Sequence, residues 1–246
     1  MPKIGGVKLG ELPRVVLGVD GDSHAVVQAA TEGVDILEVR VDLFPHLDSQ
    51  HVVEEVKLLK RYELPLIGTV RNQHESGKTN LATAQQEELY GKISPLVDAI
   101  DVDMDTAIAK NVVSVARRNQ NTIIVSHHDF KGTPSDSELR QILSRATDLG
   151  ADIVKIATLA KNETDVVRLL QFTSAHRQKN LVAIAMGSTG SLSRLVFPLV
   201  GSLMTYTSVT PSDGQIPAKR LIEDLRFYYP RYNEGLINRI SLLEFA

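Results

Sequence analysis

Eight short runs rich in β-branched residues recur along the chain about every 27 residues, each followed by a stretch with helical periodicity. They are Val15–Gly18, Ile36–Val41, Leu66–Val70, Ala99–Met104, Thr122–His127, Asp152–Ala157, Leu181–Met186 and Leu203–Thr207. That interval holds one strand and one helix and little more, so it calls for parallel strands joined by helical crossovers. Eight such units close naturally into a (β/α)8 TIM barrel, read here as one domain over residues 1–246. Helix starts are marked by Thr83, by Ser135 before Asp136 and by Asn162 before Glu163, and Gly33, Gly150 and Gly201 stand where helices would end. The first fourteen residues, with Gly5-Gly6 between apolar stretches, suit a hairpin plugging the barrel floor, and Pro230 to Ala246 suits a further amphipathic helix packed outside.

Strand parity then separates barrel-facing from helix-facing residues, because successive side chains point to opposite sides. In the second run Leu37, Val39 and Val41 form the apolar face and Glu38, Arg40 and Asp42 the other. Thr69 with Arg71, Asp101 with Asp103 and Asp105, Ser126 with His128, and Lys155 between Val154 and Ile156 repeat the pattern. Five strands therefore aim ionisable groups into one interior, biased toward the C-terminal ends where barrel enzymes place their chemistry.

Lys155 stands out among them. A lone charged amine in a buried strand costs several kcal/mol, and a chain that keeps one there commonly uses a neutral amine as an imine-forming nucleophile. A snorkelling lysine or one paired with a carboxylate is the plainer alternative. Glu38 and Arg40 equally suit a buried ion pair that fixes register, and Asp101, Asp103 and Asp105 suit a divalent metal, a helix cap or an interior arginine. His127 and His128 point oppositely, so they would not share an ion, and His128 is the better general acid and base. The loop Gly187 to Ser191 could cradle a phosphate, although Arg194 one turn later would serve a carboxylate as well.

Six segments in order resemble the type I 3-dehydroquinate dehydratases: Glu38-Val39-Arg40-Val41-Asp42, Arg71 to Gly77 with Glu75, His127-His128-Asp129-Phe130, Lys155 in its apolar strand, Met186 through Ser193-Arg194, and Gly214-Gln215. The resemblance runs from about Val15 to Leu225 and implies dehydration of 3-dehydroquinate to 3-dehydroshikimate without metal or cofactor. It implies that Lys155 forms the imine, His128 moves the proton and Glu75 orients His128. It further implies that Glu38, Arg40, Arg71, Met186, Arg194, Ser212 and Gln215 bind substrate and that the protein is a homodimer. Two positions depart from the family pattern. Gly18 replaces a hydroxyl residue, and the lid reads Pro211-Ser212-Asp213-Gly214-Gln215 instead of Ser-Ala-Pro-Gly-Gln, so the lid hydroxyl is expected at Ser212. Asp213 should turn away from a site that accepts a carboxylate.

The remaining composition narrows the partners. A net charge of −3 from 27 basic and 30 acidic residues recommends neither nucleic acid nor an anionic membrane. No segment is apolar for long enough to span a bilayer or to act as a signal peptide, and the absence of cysteine excludes disulfides and thiolate chemistry and suits a cytoplasmic setting. A class I aldolase, or a barrel that binds a polyhydroxy acid without turning it over, are the alternatives. The first would normally want a second lysine near Lys155, and Lys161 lies past the strand.

Overall fold

The structure, a computed structural model, describes residues 1–21, 27, 31, 33–73, 77, 79–209 and 211–229. The hairpin β1 (Lys3–Ile4) and β2 (Val7–Lys8) comes first. Eight parallel strands follow: β3 (Arg14–Val19), β4 (Ile36–Arg40), β5 (Leu66–Thr69), β6 (Ala99–Asp103), β7 (Thr122–Asp129), β8 (Ile153–Leu159), β9 (Leu181–Met186) and β10 (Met204–Ser208). From β3 to β9 each pairs with the next, and β10 pairs with β3. The circle closes between β9 and β10 through the Leu203 N–H, which donates to the Leu181 carbonyl at 2.9 Å. This is the (β/α)8 barrel that the repeat predicts. Its outer helices include α1 (Ser49–Leu59), α2 (Thr83–Ile93), α3 (Ala109–Arg118), α4 (Asp136–Asp148), α5 (Glu163–Ala175), the short α6 (Ser193–Val196) and α7 (Ala218–Tyr228).

Two apolar clusters bear out the parity rule. Helix-facing side chains such as Leu37, Val39, Val102, Val125, Val154 and Ile156 pack with the helices in one. Barrel-facing Val16, Ile36, Ile67, Ile124, Ile153 and Val182 form the other, and Ile4 and Leu9 of the hairpin region join it, so the hairpin plugs the floor as expected. Each aliphatic side chain withdrawn from water there contributes roughly 1.5–3 kcal/mol. The apolar floor leaves the upper half of the interior to polar groups.

Capping side chains mark three of the seven helix starts named, α1 with Asp48, α4 and α5. Ser135 and Glu138 form a reciprocal capping box, and the Asn162 side chain accepts from the Asp165 N–H. At α2 the capping position is Ala82, and Thr83 is the first helical residue instead of the cap. Gly33, Gly150 and Gly201 all take positive φ. The C-terminal amphipathic segment from Pro230 to Ala246 lies outside the described residues.

Candidate active site

Lys155, on the inward face of β8, is 4% exposed. Its Nζ donates to Asp101 Oδ2 at 2.9 Å and to Glu38 Oε1 at 3.2 Å, and lies 4.1 Å from the centre of the Tyr206 ring. Asp101 is completely buried on β6. Its other oxygen accepts from Arg71 Nη2 and, at 2.7 Å, from the Ser126 hydroxyl, while the same Nη2 donates to Ser126 Oγ at 2.8 Å. Glu38 Oε1 also accepts from Thr69 Oγ1 at 3.1 Å. Glu38 with Thr69 forms one bonded group and Arg71, Asp101 and Ser126 another, and Lys155 from β8 joins the two.

The two alternatives posed for the charged pairs resolve in part. Arg40 does not pair with Glu38. It makes a forked bond to Asp42, at 2.9 and 2.7 Å, because β4 ends at Arg40 and the chain turns into a 3-10 segment, Val41–Leu43. Asp101 holds an interior arginine, the non-metal alternative for the acidic trio. Asp105 leaves the inward series altogether, since β6 ends at Asp103. It is exposed at the rim and accepts from Arg145 at 2.8 Å, with His127 Nδ1 at 2.9 Å. His127 therefore faces the outer helices and His128 the interior, as parity requires.

His128 sits one inward position beyond the level of Lys155 on the neighbouring strand, with Ser126 opposite Lys155 and His128 opposite Ala157. Its Nδ1 lies 3.1 Å from Asp103 Oδ2. Burial, followed by the Arg71 charge, lowers the imidazole pKa from 6.5 to about 4, against the opposing pull of Asp103. Burial alone would raise the three carboxylates, yet their cations prevail. Lys155 keeps Glu38 low, Arg71 and Lys155 hold Asp101 well below the usual carboxylate range, and the His128 bond with Arg71 lowers Asp103. His128 is therefore a neutral base among ionised acids at neutral pH.

Those shifts set a pH dependence of stability. Above pH 6.5 His128 is neutral whether folded or unfolded, but between 6.5 and about 4 only the unfolded chain takes up the proton, so folding loses up to about 3 kcal/mol across that window. The carboxylates, whose folded values lie below their unfolded ones, add to the loss as the pH falls below about 4.5. Urea midpoints measured from pH 7.5 to 4 should decline beginning near 6.5, and His128→Gln should flatten the upper part of the decline. An unchanged slope in that variant would contradict the assignment.

Above the strands, the segment after β10 folds back over the rim. Gln215 Oε1 accepts from the Ser208 hydroxyl at 2.6 Å and from the Ser212 N–H at 2.9 Å, so Ser212 enters through its backbone and remains exposed with Asp213. Gly214 has φ +74°, and a Cβ there would lie 2.2 Å from the Gly187 carbonyl oxygen, which fixes glycine at the contact between this segment and the loop after β9. Within that loop the Gly190 and Ser191 amides already donate to Gly187 and Ser188, so they are not open to a phosphate. Arg194 donates from Nε to the Gly214 carbonyl at 3.1 Å and from Nη1 to the Tyr206 carbonyl at 3.0 Å, with no carboxylate partner among the described residues. Burial lowers its pKa to about 10, leaving it a cation at neutral pH. Met186 ends β9, half-buried beside the barrel-facing cluster.

The structure therefore brings together Lys155, His128, Glu38 and Arg71, with Arg194 and Gln215 at the rim and Arg40 turned to Asp42. Glu75 lies outside the described residues. Parity identified Asp101 and Ser126 as inward, with an interior arginine among the readings for Asp101 and no role for Ser126, and it missed Tyr206 and Ser208. The alternation Met204, Tyr206, Ser208 along the last strand carried that signal. Ser208 lies opposite Gly18, so a hydroxyl missing from β3 stands on β10. Among the described residues no group of three or more histidines and acids is arranged to hold a metal ion, and no helix is long and apolar enough to cross a membrane.

This geometry has counterparts among known proteins. Residues 17–231 match the model of the type I 3-dehydroquinase family. A 3-dehydroquinate dehydratase of Methanococcoides burtonii is 35% identical over 230 residues, covering 92% of this chain and 97% of its own length. One from Methanocella arvoryzae is 36% identical over 218 residues, covering 87% and 96%. The crystal structure of the type I 3-dehydroquinate dehydratase from Clostridium difficile superposes with a TM-score of 0.83 at 29% identity, covering 92% of this chain and 96% of that one. A family match over most of the barrel, with relatives aligned nearly end to end, sets the chain in one family rather than with the aldolases: the chain belongs to the type I 3-dehydroquinases.

Proposed function

We propose that this chain carries out its family's reaction, the dehydration of 3-dehydroquinate to 3-dehydroshikimate in the shikimate pathway, through an imine on Lys155. The supporting observation is a buried lysine and a neutral histidine on the same inward face of adjacent strands; the bonds from Lys155 to Glu38 and Asp101 are those of the plainer, carboxylate-paired alternative, so the amine must first give up a proton. Lys155 Nζ adds to the substrate ketone, and loss of water gives the imine. His128 takes the proton from the adjacent carbon, whose electron pair flows toward the imine nitrogen as an enamine. That pair then returns to expel the hydroxyl one carbon further on, and His128 gives it the proton so that it leaves as water. Hydrolysis of the remaining imine frees product and lysine. Glu38 can take the proton that the Lys155 ammonium must lose before the neutral amine attacks and can return it later, while Asp101, held ionised by Arg71 and Lys155, stabilises the positive iminium nitrogen.

Arg194 is the candidate for the substrate carboxylate, since among the described residues its buried guanidinium is bonded only to carbonyls. Arg71, Arg40 and Glu38 line the approach for hydroxyl groups, with Met186 as apolar packing. Gln215 would act by holding the lid, and Ser212 through the same turn. The protein acts as one catalytic domain and as a homodimer in the cytoplasm. Absence of cysteine suits that compartment, and the exposed side chains of Leu199, Phe227 and Tyr228 offer apolar surface for association. Mixing the protein with 3-dehydroquinate should produce the ultraviolet absorbance of a conjugated enone acid, which the substrate lacks. No rise in absorbance with folded protein would contradict the assignment.

The lid gives a graded expectation. Gly214→Ala and Gln215→Ala should raise KM by about tenfold or more, the first by driving the lid off Gly187 and the second by releasing Ser208 and Ser212. Ser212→Ala should be milder because its backbone makes the bond, and Asp213→Ala should be near neutral or slightly favourable. If Asp213→Ala were the most damaging under steady-state kinetics, the lid would be using that carboxylate directly.

A further inference from the structure

We propose that Asp103 is a positioning residue for His128, binding its Nδ1–H so that Nε2 carries protons to and from the substrate, alongside Glu75, to which the resemblance gives the orienting role and which lies outside the described residues. The proposal rests on the imine reading of the site and adds to it a residue that the family resemblance does not supply. The first support is geometric. Asp103 and His128 stand on the inward faces of adjacent strands, their side chains 6% and 10% exposed, with Nδ1 and Oδ2 3.1 Å apart. The carboxylate is itself fixed, because Oδ1 accepts the Asp105 N–H at 3.0 Å. One oxygen is thus tied to the chain and the other aimed at the ring.

Charge then selects the tautomer. An ionised carboxylate can only accept a hydrogen bond, so the nitrogen facing Asp103 must be the one that bears hydrogen, and in a neutral ring Nε2 keeps its lone pair. The groups facing His128 agree with both conditions. Asp103 and Asp101 come from β6, Arg71 from the segment just after β5 and Lys155 from β8, and the Phe130 ring lies parallel at 6.3 Å. Arg71 Nη1 is 3.9 Å from Asp103 Oδ2 and makes no hydrogen bond among the described residues, and its charge keeps the aspartate ionised while opposing a proton on the imidazole. When Nε2 gains the substrate proton, Asp103 is the anion in contact with the new imidazolium. Its place relative to the histidine is that of the acid in a hydrolytic triad.

The test combines the tautomer with kinetics. In 15N-histidine-labelled protein near pH 7, with the His128 signals identified by their loss in His128→Gln, Nδ1 should carry the hydrogen. Asp103→Asn should lower kcat by roughly 10²-fold or more with little change in KM, and should move the acid limb of kcat/KM to lower pH because an anion beside the ring is gone. Asp103→Glu should recover part of the loss, which a purely structural role would not allow. Hydrogen on Nε2 in the unsubstituted protein, or an Asp103→Asn variant turning over within threefold of it, would overturn the proposal. The tautomer is read without any variant of Asp103, so a variant that fails to fold leaves the test intact. Borohydride trapping on the unsubstituted protein reports separately on the imine, and a missing adduct would count against that reading, not against the placement of the hydrogen.

Discussion

Lys155→Met should lose turnover by about 10⁴-fold or more, the scale seen when a covalent nucleophile is removed from a site that acts as a unit. The substitution keeps an unbranched chain of similar reach, so the barrel should persist, but the charges around it change. Asp101 retains Arg71 and Ser126, whereas Glu38 keeps only Thr69 Oγ1 among the bonded donors described. An uncompensated buried carboxylate costs several kcal/mol, so stability should fall by up to about 3 kcal/mol at neutral pH and by less as the pH drops and Glu38 takes up a proton. Steady-state rates and urea melts measure the two effects separately. Turnover within tenfold of the original would exclude Lys155 as the nucleophile.

The second large effect belongs to the histidine pair. His128→Ala should lower kcat by roughly 10²- to 10⁴-fold, the usual worth of general acid and base assistance, and should still allow the imine to form. His127→Ala should lose less than tenfold, because that ring faces Asp105 and the outer helices. Equal losses at equal stability would contradict the division of the two faces, which follows from adjacent strand residues pointing oppositely.

How far the chain could be read in advance follows from which signals are local. The eight strands were legible because their period is imposed by the length of one βα unit, and the inward set Glu38, Thr69, Asp101, Ser126, His128 and Lys155 because strand parity needs no knowledge of neighbours. Which inward groups bond to which was not legible. Whether Arg40 pairs with Glu38 or with Asp42 depends on where β4 ends, and the fate of Asp105 on where β6 ends, and strand ends are set by tertiary contacts. Tyr206 escaped notice since its run reads as ordinary packing, and only the closed barrel puts its ring against Lys155. The backbone bond from Ser212 to Gln215 was not legible either, as a backbone amide has no signature in sequence.

Intact-mass analysis after adding 3-dehydroquinate and borohydride tests the central claim most directly. An imine on Lys155 is reduced to a stable secondary amine, so the protein should gain the mass of a single reduced adduct, and digestion should place it on the peptide containing Lys155. The gain should require both reagents and vanish in Lys155→Met. An adduct on Lys161, or turnover with no adduct on any lysine, would contradict the account.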